Sequence, residues 1–123
     1  MIYLDLDRFK PVNDCNGHAA GDAVLKAVAA ALVGAVRASD VVARIGGDEF
    51  AVLLWNLNAK AARNKADALE HAITTTTVLW GEQRLTVGVT AGVAELAAET
   101  DVGDLVARAD AAMYERKRKR KGE

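Results

Sequence analysis

The sequence predicts an α+β fold, with one mixed sheet, helices packed on it, and the element order β-α-β-β-α-β-α. Three observations indicate this class. The chain opens on an alternating run, a long stretch with helical spacing follows, and two short apolar runs then flank a pair of glycines. Strands combined with long helices are typical of a sheet covered by helices. At 123 residues the chain can bury its own core, so we expect residues 1–123 to form a single domain.

The first half contains a strand and a helix. Apolar residues fill alternate positions of residues 1–7, which predicts a strand. Residues 8–17 carry Pro11 and other breakers and are expected to be a polar loop. Across residues 18–38 apolar side chains recur every three or four positions, which predicts a helix.

Residues 41–54 are expected to form a β-hairpin. Its two apolar runs flank Gly46 and Gly47. Glycine adopts backbone angles that are closed to other residues, and it lets a ligand approach the main chain closely. Asp48 and Glu49 follow directly, so the tip of the hairpin carries two acids.

The second half adds a helix, a strand and a final helix. Helical spacing over residues 62–73 predicts the first of these, and the threonines at 74–77 end it because β-branched residues favour strands. The apolar run at 85–93 is expected to be one strand. Asp101 and Asp104 resemble an acidic capping pair that opens the last helix.

Composition restricts the class of protein. Hydrophobic residues make up 51% and charged residues 27% of the chain, which is ordinary for a globular domain. No apolar run approaches the roughly 20 residues that span a membrane, and the N-terminus lacks signal-peptide features. Cys15 is the single cysteine, which excludes an internal disulfide. We therefore expect a cytoplasmic protein with no membrane segment in this chain.

The formal net charge of −1 hides an uneven distribution. Residues 116–121 are six consecutive basic residues, and without this basic tail 10 basic residues stand against 17 acidic ones, a net charge of −7. A basic block can bind nucleic acid or anionic lipid. We favour a solvated helix end, because cations suit a helix C-terminus and no other basic face accompanies the block. No nucleic-acid partner is therefore expected.

Two acidic pairs lie in strand-like runs. Asp5 and Asp7 belong to the first strand, and Asp48 and Glu49 belong to the hairpin. Carboxylates from neighbouring strands can share a hard cation such as Mg²⁺, which takes oxygen ligands and commonly keeps waters and substrate phosphates. An isolated Asp-Glu pair is more commonly a solvated turn, so the surrounding motifs decide between these readings.

Four motifs, in this order, resemble a known family. Residues 5–10 match D-x-D-x-F-K, residues 13–22 match N-D-x-x-G-H-x-x-G-D, residues 46–50 read Gly-Gly-Asp-Glu-Phe, and residues 109–114 match A-D-x-A-[LM]-Y. The chain resembles a GGDEF domain, the diguanylate cyclase module of bacterial signalling. The ordered set spans nearly the whole chain, which makes the resemblance specific.

The resemblance implies a nucleotidyl-cyclase palm fold and the condensation of two GTP molecules into cyclic di-GMP. Each protomer would hold one GTP, so turnover would need a second GGDEF protomer facing the first. The family's opening D-x-L-T-x-L-x-N-R-R segment is absent from the chain. We therefore expect a domain truncated at its N-terminus, possible inactivity of this fragment alone, and a sensor domain upstream.

The resemblance also implies a Mg²⁺ or Mn²⁺ site. Asp5, the backbone carbonyl of Leu6, and Asp48 would hold the metal. Asp48 and Glu49 would be the catalytic acids, and Glu49 would either coordinate a second metal or help to deprotonate the 3′-hydroxyl.

Asn13 and Asp22 match the guanine readers of the family. A carboxylate accepts hydrogen bonds from guanine N1–H and its amino group, and an amide both donates and accepts at the base edge. Taken alone, Asn13 is an ordinary turn residue and Asp22 an ordinary acid of a first helical turn. Lys10 and nearby backbone amides would meet the phosphates. Phe9 would adjoin the substrate and is expected mainly to pack.

The substrate site would also include Gly46 and Gly47 and two lysines near the end of the chain. After its tyrosine the family usually carries A-K-x-x-G-R-N. Lys117 occupies the position of the phosphate-binding lysine, and Lys121 replaces the arginine, keeping its charge and losing its planar fork.

Arg37 and Asp40 resemble the R-x-x-D inhibitory site, at which cyclic di-GMP binds as a feedback inhibitor. Arginine can fork two hydrogen bonds to phosphate or guanine acceptors. The alternative is a surface ion pair worth under about 1 kcal/mol. Many members supply a second arginine from the following helix, where this chain has Ala68.

Two other functions compete with the cyclase. A catalytically silent module that binds GTP or cyclic di-GMP is the alternative, although such relatives usually lose the signature acids that this chain keeps. A nucleic-acid-binding domain that uses residues 116–121 is the weakest hypothesis, since it requires an affinity that falls steeply with salt.

Overall fold

The computed structural model describes residues 1–55, 57–94 and 102–122, and in the last range not every side chain. Within these residues the elements are β1 Ile2–Asp7, α1 Phe9–Asn16, α2 His18–Ala35, β2 Val41–Arg44, β3 Glu49–Leu53, α3 Ala59–Thr74, β4 Val78–Trp80, β5 Gln83–Leu85, β6 Gly88–Val93 and α4 Val102–Gly122. The α+β class is confirmed, as are the hairpin of β2 and β3 and the helix that ends at the threonine run.

The central sheet has the strand order β2-β3-β1-β6 among the described strands, and each neighbouring pair is antiparallel. In this register Asp5 of β1 faces Glu49 of β3 on one side and Thr90 of β6 on the other. Glu49, Asp5 and Thr90 therefore lie side by side across the three neighbouring strands β3, β1 and β6.

One face of the sheet is buried under α2 and α3. Ile2, Leu4 and Leu6 of β1 share a core cluster with Leu32 of α2 and Leu69 of α3, and each is at most 3% exposed. Burying an aliphatic side chain of this size stabilises the fold by about 1.5–3 kcal/mol. The alternation in the sequence of β1 therefore fixes which of its faces meets the helices.

α4 covers the opposite face of the sheet. Tyr3 is 6% exposed and packs with Ala94 and with Met113 of α4 in a second cluster. Farther along the same face of β1, Asp5 and Asp7 are only half-buried. The strand thus passes from packed core to accessible site within a few residues.

The expectation that residues 8–17 form a loop is wrong, because Phe9–Asn16 is helical. Pro11 is the third residue of α1, and a backbone N–H in the first helical turn has no intrahelical partner to lose. Phe9 and Val12, one turn apart, are buried and hold the helix on the core. Gly17, at φ 90°, separates α1 from α2 in a conformation that favours glycine.

The expectation of one strand over residues 85–93 is also wrong. Gln83–Leu85 pairs with Val78–Trp80 as a separate two-stranded ribbon, whereas Gly88–Val93 joins the central sheet. Leu85 and Val87 are both buried in the main core, so the apolar run continues while the backbone changes sheets. A run of apolar residues can therefore stay buried in one core although its backbone belongs to two different sheets.

α2 is long and apolar enough to cross a membrane by length and composition alone, with a mean hydropathy of 1.3 over its 18 residues. In the structure a stripe of this helix that includes Val24, Val28 and Leu32 is packed in the core. A single helix of this kind is weak evidence for a membrane span, since the core helix of a folded domain passes the same test.

The basic tail, residues 116–121, lies at the end of α4, as expected, but the expectation that it is solvated is wrong for Arg116 and Lys117. Its first two members make ion pairs inside the domain: Arg116 with Asp67 and Glu70 of α3, and Lys117 with the acids of β1. Part of this charge block therefore holds α4 against the rest of the fold.

Candidate active site

Two strands bring the predicted metal ligands to the same end of the sheet. Asp5 and Glu49 are direct partners in the pairing of β1 with β3. Just beyond this pair the backbone N–H of Leu6 donates to the carbonyl of Asp48 at 3.0 Å, which fastens the hairpin tip to β1. Asp5, Asp48 and Glu49 are all half-buried. The structure therefore brings these acids together, and their individual roles stay a prediction.

The electrostatics of Asp48 reveal a crowded negative site. Burial raises the pKa of the Asp48 carboxyl, and the charges of Asp5 and Glu49 raise it further, while the Lys117 ammonium acts in the opposite direction. The pKa of Asp48 therefore responds to the charges of Asp5 and Glu49. Additional positive charge at this point would favour the ionised form of Asp48.

Lys117 of α4 reaches across to the acids of β1. Its Nζ lies 2.8 Å from Asp5 Oδ2 and 2.9 Å from Asp7 Oδ1. The remaining oxygen of Asp7, Oδ2, accepts a hydrogen bond of 2.8 Å from Thr90 Oγ1. Desolvation lowers the pKa of Lys117, but the hydrogen bonds to Asp5 and Asp7 outweigh it and hold the pKa above its usual value. The lysine predicted to bind phosphate thus bridges two carboxylates.

The donor set fits a hard divalent cation. Asp5, Asp48 and the Leu6 carbonyl offer the oxygen ligands that Mg²⁺ takes, and the Lys117 ammonium already places positive charge beside Asp5. In the described part of the chain, no group of three His, Cys, Asp or Glu side chains could hold a metal ion. A site of two carboxylates and one carbonyl would complete its shell with water and substrate phosphate. The metal stays a prediction.

Arg44, which the sequence reasoning missed, shapes the tip of the hairpin. Its guanidinium donates to the carbonyls of Gly46 and Gly47, from Nε at 3.1 Å and from Nη2 at 2.9 Å. The Ile45 N–H donates to the Glu49 carbonyl at 2.9 Å and closes the turn. A Cβ added to Gly47 would meet no atom within 4 Å, so the backbone there is open to a ligand. An arginine two residues before the glycine pair was the available signal.

Tyr3 orients Glu49, a role that the sequence did not predict. Its hydroxyl donates to Glu49 Oε2. Burial, followed by the hydrogen bond to Glu49 and the charge of that residue, raises the pKa of Tyr3, so its hydroxyl remains a donor at neutral pH. An aromatic residue in an alternating strand gave no sign of this role, because the same pattern predicts packing alone.

The predicted guanine readers lie where α1 packs against α2. Asn13 is half-buried, and its side-chain oxygen occupies the space that a side chain at Gly21 would need. Asp22 follows Gly21 directly and is exposed. Phe9 is 8% exposed and packs toward the same point, its Cζ 3.2 Å from a Cβ built at Gly21. The missing side chain at Gly21 therefore makes room for Asn13 against α2.

An open cleft runs from Asp22, one of the two predicted guanine readers, to the hairpin. It has a volume of about 490 Å³ and separates α2 from β2. Asp22, Leu25 and Lys26 line its helix side, and Val42 and Arg44 line its strand side. The cleft thus extends from a proposed base-reading residue to the arginine that holds the glycine turn. Lys10 is exposed on α1, and the side chain of Lys121 lies outside the described residues.

Arg37 and Asp40 are brought together, in a closed arrangement. The Asp40 Oδ2 accepts from the Arg37 backbone N–H at 2.9 Å and from Arg37 Nε at 3.4 Å. Arg37 Nη2 donates to the carbonyl of Trp55 at 2.7 Å, and Trp55 Nε1 donates to the Ser39 carbonyl at 2.8 Å. The Asp40 side chain is 1% exposed, whereas that of Arg37 is 58% exposed. Trp55 was not anticipated from the sequence.

The profile of one protein family, described as diguanylate cyclase, GGDEF domain, matches residues 1–123. The chain is a GGDEF domain. Diguanylate cyclase TpbB of Pseudomonas aeruginosa is 41% identical over 124 aligned residues, which cover 99% of this chain and 28% of that protein. The probable diguanylate cyclase DgcE of Escherichia coli is 39% identical over 115 residues, which cover 93% of this chain and 10% of that protein.

Solved GGDEF structures share the fold. Diguanylate cyclase SiaD of Pseudomonas aeruginosa, in complex with its activator SiaC, has a TM-score of 0.90 and 36% identity, covering 96% of this chain and 45% of that one. The GGDEF domain of DgcB from Caulobacter crescentus, in complex with c-di-GMP, has a TM-score of 0.87 and 28% identity, covering 95% of this chain and 70% of that one. This GGDEF domain spans about a tenth of the length of DgcE and just over a quarter of the length of TpbB.

Proposed function

We propose that this GGDEF domain, facing a second copy, condenses two GTP molecules into cyclic di-GMP with Mg²⁺ or Mn²⁺. The observation that carries the proposal is the meeting of Asp5, Asp48 and Glu49 at one end of the sheet, beside Lys117. The names of its relatives support the same activity, since TpbB and DgcE are both described as diguanylate cyclases.

The reaction forms two phosphodiester bonds. In each step the 3′-oxygen of one GTP attacks the α-phosphorus of the other, and the bond from that phosphorus to the bridging oxygen of the β-phosphate breaks. Pyrophosphate leaves, and the proton of the 3′-hydroxyl passes to a base. A divalent cation, when bound, neutralises the charge that develops on the phosphates.

The residues of the domain supply positions and charges for these steps. Glu49, with one oxygen held by Tyr3, uses the other to take the proton of the 3′-hydroxyl or to hold a second cation. Lys10 and Lys117 provide ammonium groups for the β- and γ-phosphates. The open backbone at Gly47 lets the triphosphate approach the hairpin tip.

Asn13 and Asp22 select guanine over adenine. The Asp22 carboxylate accepts from N1–H and the 2-amino group, donors that adenine lacks, and the Asn13 amide meets the base edge with a donor and an acceptor. Two observations support this role: Asn13 packs on Gly21, and Asp22, the next residue, lines one end of the cleft of about 490 Å³. Adenine would leave the polar groups of this site without hydrogen-bond partners, and a site of this kind rejects such an analogue.

The product binds at Arg37 and Asp40 and inhibits the enzyme. The exposed guanidinium of Arg37 can turn from the Trp55 carbonyl to a phosphate or a guanine acceptor. The solved complex of the DgcB GGDEF domain with c-di-GMP supports product binding in this family. With Ala68 in place of a second arginine, this site would bind product more weakly or share it with a partner domain.

The whole protein is a cytoplasmic signalling enzyme in which a sensor domain precedes this one. Two features support this view: the domain is a minor part of its relatives' length, and it has a single cysteine. The partners are then GTP, cyclic di-GMP and a second copy of the domain.

The test uses the full-length protein at high concentration with GTP and Mg²⁺, and measures cyclic di-GMP by chromatography and pyrophosphate by a coupled assay. Asp48→Asn is expected to lower the rate by about a hundredfold or more. Glu82→Gln, in the exposed turn between β4 and β5, is the matched control and should leave the rate unchanged. Tight GTP binding without product would refute the cyclase and support the silent binding module.

A further inference from the structure

Lys117 has two partners that require different positions of its side chain. In this structure its ammonium contacts Asp5 Oδ2 at 2.8 Å and Asp7 Oδ1 at 2.9 Å. In the function proposed above, the same ammonium binds substrate phosphate while Asp5 holds a divalent cation. The Asp5 carboxylate would then serve two cations at once, and these repel each other.

The acid pair is arranged so that it keeps a cation. Thr90 Oγ1 donates to Asp7 Oδ2 at 2.8 Å, which leaves Oδ1 directed to Lys117. Gly88 lies opposite Asp7 in the register, and a Cβ there would come within 3.3 Å of the Asp7 Cβ. The side chains of Lys117, Asp5 and Asp7 are 24%, 22% and 31% exposed, so water screens their attraction only in part.

The helix that carries Lys117 is held in place, whereas the lysine side chain itself can move. Arg116, the preceding residue, pairs with Glu70 of α3 at 2.8 Å and fixes this turn of α4. A lysine has a flexible four-carbon stem with a compact charge at its end. The ammonium can therefore change partners while the backbone of α4 stays where it is.

We propose that Lys117 is the resident counter-cation of Asp5 and Asp7, and that it leaves them for nucleotide phosphate when a divalent cation enters. This inference rests on the proposed function for the identity of the nucleotide. Lys117 then weakens metal binding in the absence of nucleotide and strengthens it in the presence of nucleotide. Metal and GTP would bind as a coupled pair, and the acids would hold no divalent cation before substrate arrives.

The test titrates the full-length protein with Mn²⁺ alone, following free Mn²⁺ by electron paramagnetic resonance. Lys117→Met keeps the length of the stem and removes the charge, and should bind Mn²⁺ at least about fivefold more tightly than wild type. Lys119→Met is the matched control: it removes the same charge from the same helix, at a residue 77% exposed and 3.9 Å from Glu115. It should leave Mn²⁺ affinity within about twofold.

Two further measurements sharpen the result. Asp5→Asn, added to Lys117→Met, should abolish the tighter Mn²⁺ binding, which assigns the effect to this site. Calorimetry with a non-hydrolysable GTP analogue should find that Mn²⁺ strengthens analogue binding more in wild type than in Lys117→Met. Direct chelation of Mn²⁺ by the analogue is common to both proteins, so the difference isolates the lysine.

Mn²⁺ affinity of Lys117→Met equal to that of Lys119→Met would overturn the inference. Lys117→Gln provides a second uncharged replacement of the lysine. Thermal melting of each variant establishes that the proteins compared are folded. If wild type also makes cyclic di-GMP, that outcome leaves the proposed function standing. Tighter Mn²⁺ binding by Lys117→Met in a protein that makes no product would support the counter-cation and refute the cyclase.

Discussion

Gly21 is expected to matter through the side chain that it lacks. A helix interior usually gains about 1 kcal/mol when glycine is replaced by alanine. At this position the new Cβ would overlap the side-chain oxygen of Asn13 and press on Phe9. Gly21→Ala should therefore displace Asn13 and raise the KM for GTP about tenfold, with a much smaller change in kcat, because the guanine loses about one hydrogen bond.

Gly34 provides the matched control for this prediction. It lies in the same helix, α2, and a Cβ there would meet nothing within 4 Å. Gly34→Ala should leave KM unchanged and raise the free energy of unfolding by up to about 1 kcal/mol. Steady-state kinetics with GTP and urea unfolding measure the two effects. An unchanged KM in Gly21→Ala would mean that Asn13 does not contribute to GTP binding.

Tyr3 is predicted to act on the rate through Glu49. Tyr3→Phe removes the hydroxyl that holds Glu49 Oε2 and keeps the ring that packs with Met113. A hydrogen bond to a charged group is worth about 1.5–3 kcal/mol, so a loss of about tenfold in kcat is expected with KM within twofold. Tyr114→Phe, at a residue 63% exposed on α4, should change neither constant. Equal losses in the two variants would contradict the role.

Asp40 should make the stability of the domain dependent on pH. Burial acts to raise its pKa, but hydrogen bonds from the backbone and side chain of Arg37 outweigh burial and hold the pKa below its usual value. A carboxyl with a lowered pKa stabilises the fold above the unfolded pKa, about 3.9, and this contribution disappears as the pH falls through the folded pKa.

Asp40→Asn should therefore melt at a lower temperature than wild type at pH 7, and the two melting temperatures should converge as the pH falls below about 4. Circular dichroism melts across this range provide the measurement. Glu82→Gln, a change of the same kind in an exposed turn, should show no such gap. A gap that stays constant down to low pH would mean that the carboxylate charge of Asp40 does not stabilise the fold.

The sequence anticipated which acids lie together, but it did not predict the side chains that position the acids and the hairpin turn. Asp5 and Glu49 belong to two acidic pairs that were expected on neighbouring strands, and the register makes them direct partners. Tyr3, Arg44 and Thr90 act through a hydroxyl or a guanidinium on partners distant in sequence or across a turn. Such contacts depend on register and side-chain direction, which no local pattern encodes.

At the element scale, the contact of α4 with α3 is predicted to stabilise the fold and position Lys117. Glu70 of α3 is buried and accepts from two guanidinium groups, Arg63 at 2.9 Å and Arg116 at 2.8 Å. Arg116→Ala should lower the free energy of unfolding by about 1–3 kcal/mol, since it leaves a buried carboxylate with less positive charge.

Urea unfolding measures this loss, and Arg118→Ala, an exposed change on the same helix, should stay within about 0.5 kcal/mol of wild type. Arg116→Ala should also raise the KM for GTP, because the turn that carries Lys117 loosens. A double-mutant cycle with Glu70→Gln isolates the pair. A coupling energy near zero would mean that Arg116 contributes only solvated charge.

The elements that the sequence mispredicted share one physical cause. α1 contains a proline and several polar residues, and it is helical because Phe9 and Val12 bury one face against the core. The run at 85–93 is mostly apolar, yet its backbone leaves the ribbon with β4 and joins β1. In both cases tertiary burial overrides local propensity, whereas α2, α3 and the hairpin were predicted because pattern and burial agree.

At the scale of the whole molecule, the proposed reaction requires two copies, because each protomer supplies one GTP and one set of acids. Each bond is then formed at the acids of one protomer, and a dimer with one impaired protomer should form only one of the two bonds. Glu49→Gln is the suitable partner, since it alters the proposed base and leaves Asn13, Asp22 and Asp48 to bind GTP.

Mixing wild type with about a tenfold excess of Glu49→Gln at saturating GTP places most wild-type protomers in mixed dimers by mass action. The linear dinucleotide, with one phosphodiester bond and its triphosphate intact, should then accumulate relative to cyclic di-GMP. Chromatography measures the ratio of the two products as the excess grows, and an equal excess of Glu82→Gln controls for crowding and dilution. A ratio that does not change with the excess would mean that one protomer closes both bonds, and the facing arrangement of two active sites would have to be abandoned.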